Sequence, residues 1–235
     1  MKRHYSVSAI RRGIRSVIVW LGRNIFWLLA RVEIEGLENI PKSGPYVIAF
    51  NHVSIFDPPF VLAFWPVHPE ILGAVDIWSR PGQDILARLY EGIPIRRGEV
   101  DRDALGTALS VLTSGLPLMI SPEGGRSHSP GLRRGKPGVV YLIDKSNAPV
   151  VPVGVVGTTD DFFAQALRRQ KPLLRMQIGV PFQLPSMEEM AEAPREIRQR
   201  RVDYIMGKLA ALLPADYRGV YGQLVHKGIP PLGAA

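Results

Sequence analysis

The sequence predicts an α/β fold, a single domain whose mostly parallel central sheet is flanked by helices, with an N-terminal amphipathic helical segment that associates with a membrane. Two observations predict the domain. From Val32 onward, short apolar runs alternate with stretches of helical periodicity, the pattern of β-α units feeding a parallel sheet. Several of those runs then end abruptly in polar or charged residues, as strands do when they deliver side chains to one edge of a sheet. A third observation sets residues 1–31 apart: basic and aromatic residues share that segment, and no acidic residue precedes Glu33. The expected division is a membrane-associating segment at 1–31, a catalytic domain at 32–213 and a tail at 214–235.

The chain has 235 residues, 46% of them hydrophobic, enough to bury one sizeable core but not two. It has no cysteine, which excludes disulfide staples and cysteine-ligated zinc and fits a reducing compartment. A net charge of +8 and a pI near 10.0 call for an anionic partner, either nucleic acid or an anionic membrane with phosphate-bearing substrates.

The first segment carries Lys2, Arg3, Arg11, Arg12, Arg15, Arg23 and Arg31 among Ile14, Val17, Trp20, Leu21, Ile25, Trp27 and Leu28. It is interrupted by Arg23, so it does not make the run of about 20 apolar residues that spans a bilayer, and no small-residue cleavage site follows it. An interfacial helix accounts for both compositions, with tryptophans in the acyl boundary and Arg11, Arg12 and Arg15 toward anionic headgroups. The plainer alternative is an amphipathic helix packed on the domain.

Next come a strand at Val32–Gly36, a turn at Pro41–Pro45 and a buried strand at Tyr46–Phe50. Helices are expected at Pro58–Trp65, Asp84–Tyr90, Asp101–Thr113, Lys136–Lys145, Phe162–Gln170 and Arg195–Leu213. Strands are expected at Ile71–Val75, Ile93–Ile95, Leu116–Ile120, Pro149–Val156 and Leu173–Gly179. The tail beyond Pro214 reads as loosely structured.

Two strand ends carry chemistry. The strand Tyr46–Phe50 ends in Asn51-His52, and Asp57 follows five residues later. A histidine there can act as a base near neutral pH, and a carboxylate folded back onto it can fix its tautomer. Asp57 before Pro58 also reads as a helix N-cap. No third ligand accompanies the pair, so a metal site is not expected, and Ser54 lacks the glycine elbow of a serine nucleophile. The strand ending at Ile120 leads into Ser121-Pro122-Glu123-Gly124-Gly125-Arg126-Ser127. Its glycines allow close backbone approach, while Glu123 and Arg126 supply an acceptor and an anion clamp; a solvated turn is the simpler reading.

Four ordered blocks together resemble the glycerolipid acyltransferases, whose best-known members are the 1-acylglycerol-3-phosphate acyltransferases. They are Asn51-His52 through Asp57, Gly92 through Arg97, Ser121 through Ser127, and Val151-Pro152-Val153. The resemblance covers roughly Val32 to Val156 and departs from the family at Ser121, Gly125 and Arg96. It implies acyl transfer from acyl-coenzyme A or acyl carrier protein, as co-substrate and without a cofactor, to the free hydroxyl of 1-acylglycerol 3-phosphate, giving phosphatidic acid. Another lysolipid or glycerol phosphate is the alternative acceptor. His52 would be the base and Asp57 its orienting partner, with backbone N–H groups near Gly124 holding the oxyanion. Arg97 and Arg126 would clamp the acceptor phosphate, with Arg96 and Lys136 as further candidates, and Glu123 would bind glycerol hydroxyls or brace an arginine. The protein would sit on the cytoplasmic face of a membrane, monotopic or peripheral, against anionic lipid. A nucleic-acid binder is not expected, because no groove-reading motif is recognisable. A non-catalytic membrane-binding protein would leave His52, Asp57 and Glu123 idle, and a lipid hydrolase is the nearest enzymatic rival.

Overall fold

The alternation of side chains along the strand that precedes His52 decides how the domain is layered. In the computed structural model, which describes residues 4–184 and 194–229, this strand is β2 (Val47–Phe50) and every residue of it is buried. Successive residues of a strand face opposite sides of a sheet. Val47 and Ala49 therefore join one apolar layer, and Ile48 and Phe50 join the other. A strand covered on both faces is the reason its sequence is a continuous apolar run rather than an alternating one.

Six further strands complete the sheet: β1 (Arg31–Glu35), β3 (Glu70–Ala74), β4 (Ile93–Ile95), β5 (Leu118–Ile120), β6 (Val150–Val156) and β7 (Leu173–Ile178). Their order is β1-β7-β6-β2-β5-β3-β4. All neighbours run parallel except β6 and β7, which are antiparallel. The carboxyl ends of β2, β4, β5 and β6 thus lie along one edge, where open α/β sheets bind ligands. One face is covered by α4 (Arg102–Thr113), α5 (Gly138–Ser146) and α7 (Pro194–Ala211), the other by α1 (Ala9–Leu29), α2 (Asp57–Phe64) and the short α6 (Phe162–Leu167). Helix α3 (Gln83–Tyr90) packs beside α1.

Four expectations are corrected. The strand expected from Ile71 begins at Glu70, which is 1% exposed. Its carboxylate takes a two-pronged bond from Arg15 on α1, at 2.5 and 2.9 Å, and a third bond from the Tyr5 hydroxyl at 2.9 Å. Paired and hydrogen-bonded in this way, a charge can be buried, but the pairing is invisible until α1 docks. Arg15, expected at lipid headgroups, is accordingly 1% exposed and also donates to the Tyr90 carbonyl at 2.8 Å. Arg11 meets Glu91 at 3.0 Å and Arg23 donates to the Ala63 carbonyl at 2.8 Å. Arg11, Arg15 and Arg23 therefore face the domain, whereas Arg12 is exposed and donates to the Val7 carbonyl at 2.7 Å. Phe26, against Phe60 with ring centroids 5.2 Å apart, completes the docking.

The tail is also more ordered than its composition suggested. Two short turns at Ala215–Tyr217 and Gly219–Tyr221 lead into α8 (Gly222–His226). The buried Tyr217 and Tyr221 hydroxyls accept from the Gly157 and Gly135 amides at 3.2 and 2.9 Å. Finally, Asp57 is the first residue of α2 rather than its cap, a position held by Phe56. Lys2, Arg3 and residues 230–235 lie outside the described residues.

Removing one partner of a buried ion pair leaves the other uncompensated, which costs about 3–5 kcal/mol. Arg15→Ala should show that loss in urea unfolding. Arg15→Met combined with Glu70→Leu should lie closer to the parent protein than Arg15→Ala does. A loss below about 1 kcal/mol for Arg15→Ala would mean that the pair does not hold α1 on the domain.

Candidate active site

Asp57 is fully buried and its carboxylate organises the loop after β2. One oxygen, Oδ2, accepts from the Ser54 amide at 2.8 Å and lies 2.8 Å from His52 Nδ1. The other, Oδ1, accepts from the Thr158 hydroxyl at the end of β6. An ionised carboxylate only accepts, so Nδ1 carries the proton and Nε2 is left with its lone pair, the tautomer a general base requires. Asn51 fixes the root of the loop: its side chain donates to the Val155 carbonyl at 2.8 Å and accepts from the Val155 amide at 2.7 Å. Paired in this way to β6, it is buried without an unmet polar group.

Glu123, expected to bind glycerol hydroxyls or brace an arginine, lies 4.0 Å from the Arg133 guanidinium and also holds two backbone amides. Its two oxygens accept from the His52 amide at 3.0 Å and the Arg133 amide at 2.8 Å. Burial pushes its carboxyl above the usual range, although these bonds and Arg133 pull the other way. The segment after it is stitched to the histidine loop by bonds from the Ser127 amide to the His52 carbonyl, at 2.8 Å, and from the His128 amide to the Val53 carbonyl, at 3.1 Å. The Gly124 amide closes a turn onto the Ser121 carbonyl at 3.0 Å, so it is already engaged. Gly124 itself sits at φ +69°, where a side chain would be strained.

A cavity of 260 Å3 opens beside His52. Ile18, Leu62, Ile71, Trp78 and Leu86 give it apolar walls, and Arg97, Arg126, Gly124 and Gly125 line it together with His52. Burial is the main influence drawing the Arg97 guanidinium below its ordinary range; Asp76 opposes this, while Arg126, Arg133 and Arg80 reinforce it. Cations gathered this closely favour an anion among them. The structure thus brings His52, Asp57, Arg97 and Arg126 together. It does not bring Arg96 or Lys136 to that cavity: Arg96 turns to Glu99 and Asp101, at 3.6 and 3.5 Å, and both face a neighbouring groove.

Residues 31–156 match the sequence model of the acyltransferase family, described as Acyltransferase, which is more than half of the chain. The chain belongs to the acyltransferase family. It is similar to the 1-acyl-sn-glycerol-3-phosphate acyltransferase alpha of Ovis aries, 30% identical over 148 residues, which are 59% of this chain and 49% of that protein. The corresponding Mus musculus protein is 28% identical over 179 residues, 71% of this chain and 58% of its own length. A 1-acyl-sn-glycerol-3-phosphate acyltransferase of Borreliella burgdorferi is 26% identical over 139 residues, 58% of this chain and 56% of its own. The chain spans about half the length of the curated relatives it matches. Among solved structures, the 1-acyl-sn-glycerophosphate acyltransferase of Thermotoga maritima shares the fold, with a TM-score of 0.61 at 23% identity over 83% of this chain and 78% of that one.

Thr158 is the residue of this constellation that motif reading missed. It stands just past the matched region, in Gly157-Thr158-Thr159, and only the parallel pairing of β2 with β6 brings it to Asp57. A pair of hydroxyl residues directly after the core strand was the available signal. Thr158→Val keeps the shape and leaves Asp57 Oδ1 without its donor, which should cost about 1–3 kcal/mol of stability. If the hydroxyl positions Asp57, the variant should also lose turnover while its KM for lipid stays near that of the parent. Parent-like turnover would make Thr158 a packing residue only.

Proposed function

We propose that this acyltransferase moves a fatty acyl group from a thioester to the free hydroxyl of 1-acylglycerol 3-phosphate, producing phosphatidic acid. The observation that carries the reading is the His52–Asp57 pair opening onto a largely apolar cavity that Arg97 and Arg126 also line. His52 Nε2 takes the acceptor's hydroxyl proton as the oxygen attacks the thioester carbonyl. The imidazolium formed is stabilised by Asp57. The tetrahedral intermediate collapses, the carbon–sulfur bond breaks, and His52 returns the proton to the departing thiolate. With the Gly124 amide engaged, the amides of Gly125 and Arg126 are the donors left in the turn for the oxyanion. Arg97 and Arg126 hold the acceptor phosphate, which two guanidiniums meet with paired hydrogen bonds. The apolar cavity takes an acyl chain.

His52→Ala should retain the fold and lower turnover at least a hundredfold, about what removal of a general base costs. The assay incubates the protein with labelled acyl-coenzyme A, with and without lysophosphatidate. Label in phosphatidate supports the reading, label in free fatty acid indicates a hydrolase, and a fully active His52→Ala removes the base.

The same reading places the protein on a membrane surface. Among the described residues, no helix is long and apolar enough to cross a membrane. Because Arg11, Arg15 and Arg23 dock inward, α1 exposes Ile10, Val17, Trp20, Leu21, Ile25, Trp27 and Leu28. Ile85, Leu86 and Leu89 of the adjoining α3 are exposed as well. An apolar patch of this extent marks an interaction surface, and tryptophans among aliphatics suit the acyl boundary. Since α1 also buries Glu70, deleting residues 1–31 would harm the fold, and point changes are the cleaner test. Trp20→Ser with Leu28→Ser should weaken binding to anionic vesicles at least about tenfold, with the circular dichroism spectrum preserved. Added salt should weaken the parent protein's binding only partly, because apolar insertion is unscreened. Unchanged sedimentation of the double variant with vesicles would rule this face out.

A further inference from the structure

Helix α6 leaves an apolar stripe of its own uncovered. Its buried residues, Phe162 and Ala166, stand four apart, and Phe162 packs against Phe26 of α1 and against Phe56, with ring centroids 6.0 and 5.2 Å away. Phe163 and Leu167 have the same spacing one residue further round, so they lie side by side on the outer surface, 49% and 68% exposed. The helix then runs into Arg168-Arg169-Gln170-Lys171. Among the described residues, the side chains of Arg168, Arg169 and Lys171 have no ion-pair or hydrogen-bond partner. Arg169 and Lys171 also hold φ of +58° and +45°, the left-handed region where a helix end ordinarily takes glycine. Nearby carboxylates do not neutralise this turn. Before α6, Asp160 faces His128 at 3.5 Å and Asp161 accepts from the Thr159 hydroxyl and the Gln165 side chain. Glu33 is held by Arg31 and Arg175, each at 2.9 Å, while Glu35 and Glu38 lie at and beyond the far end of β1.

We propose that α6 and the turn after it form a second contact with an anionic lipid surface, separate from the α1 face, and that this contact decides which edge of the sheet meets the bilayer. The proposal rests on the reading of the protein as an enzyme working at a lipid surface. The turn adjoins the C-terminal end of α1, because the Arg31 amide donates to the Pro172 carbonyl at 3.0 Å. Both helices cover the same face of the sheet, so the stripe on α6 continues the exposed surface that ends at Trp27 and Leu28. The strand register places the turn on the catalytic edge. Arg31 lies opposite Leu173, Arg175 opposite Val156, and Val153 opposite Phe50, which puts the start of β7 level with the end of β2, where His52 follows. An interfacial helix alone fixes only a line on the membrane; a second contact beside its end fixes the tilt about that line. With α6 engaged, the edge that carries His52 turns toward the lipid. Apolar residues next to unpaired cations suit this partner: Phe163 and Leu167 enter the acyl boundary, and Arg168, Arg169 and Lys171 meet headgroup phosphates. The left-handed backbone at Arg169 and Lys171 costs stability, and it presents two exposed cations within one tight turn.

Arg169→Gly separates a structural role for this turn from a binding one. Glycine relieves the left-handed backbone, so the variant should unfold at a higher urea concentration than the parent. It should nevertheless bind mixed phosphatidylglycerol and phosphatidylcholine vesicles about fivefold more weakly, the effect of one cation near an anionic surface. Phe163→Ser with Leu167→Ser should weaken the same binding at least about tenfold. On vesicles of phosphatidylcholine alone, Arg169→Gly should match the parent, whereas Trp20→Ser with Leu28→Ser should still bind more weakly. In transfer assays, both α6 variants should lose turnover with lysophosphatidate held in anionic vesicles and keep it with a short-chain lysophosphatidate dissolved as monomers. Parent-like vesicle binding by both α6 variants would remove the second contact and leave the His52 reading intact. Equal losses on the two forms of substrate would also overturn it, making α6 a brace for the loop that carries Thr158. A parent that sediments as a dimer, with α6 variants that sediment as monomers, would give the face to a second copy of the chain. Vesicle binding that depends on α6, without any acyl transfer by the parent, would keep the surface and sink the His52 reading.

Discussion

A single buried carboxylate sets the conformation of the sheet edge that carries His52. Asp57 has no exposed surface, and an ionised group can remain there only if its lone pairs are met by donors. Those donors come from three places: the His52 ring, the Ser54 amide and the Thr158 hydroxyl. Satisfying the charge therefore curls the loop after β2 back on itself and ties it to the end of β6. The imidazole's orientation follows from the same requirement, so the tautomer suited to base chemistry is a by-product of electrostatic necessity.

Glu123 repeats the device at the neighbouring strand. It receives the amide of His52 itself and that of Arg133, joining the loops after β2 and β5 into one unit. Around that unit the surface divides. An apolar cavity lies on one side and a basic groove on the other, with the Ser121–Gly124 turn at their rim.

Helix α1 is oriented opposite to an ordinary surface helix. Arg11, Arg15 and Arg23 are spent on Glu91, Glu70 and the Ala63 carbonyl, which leaves aliphatics and tryptophans facing outward. Charge in the N-terminal sequence reads as headgroup contact because these three arginines look unpaired along the chain. Their partners are 40 to 80 residues away in sequence, and folding makes the difference.

Residue types alone determined the layered α/β class, the apolar strands, and the placement of His52, Asp57, Glu123 and Arg126 beyond strand ends, because backbone period and burial on both faces write directly into the order of residues. The pairing of His52 with Asp57 was legible too, being local. What only the tertiary structure decided were the contacts between distant segments. Glu70 could enter a strand because Arg15 reached it, Thr158 met Asp57 because β6 lies beside β2, and Tyr217 and Tyr221 turned a polar tail into a brace. Arg96 and Arg97 are adjacent in sequence yet differ in surroundings, Arg97 at the catalytic cavity and Arg96 turned to Glu99 and Asp101. Glu123 became a backbone clamp for the same reason: an acceptor's partner is whichever donor the fold presses against it once water is gone.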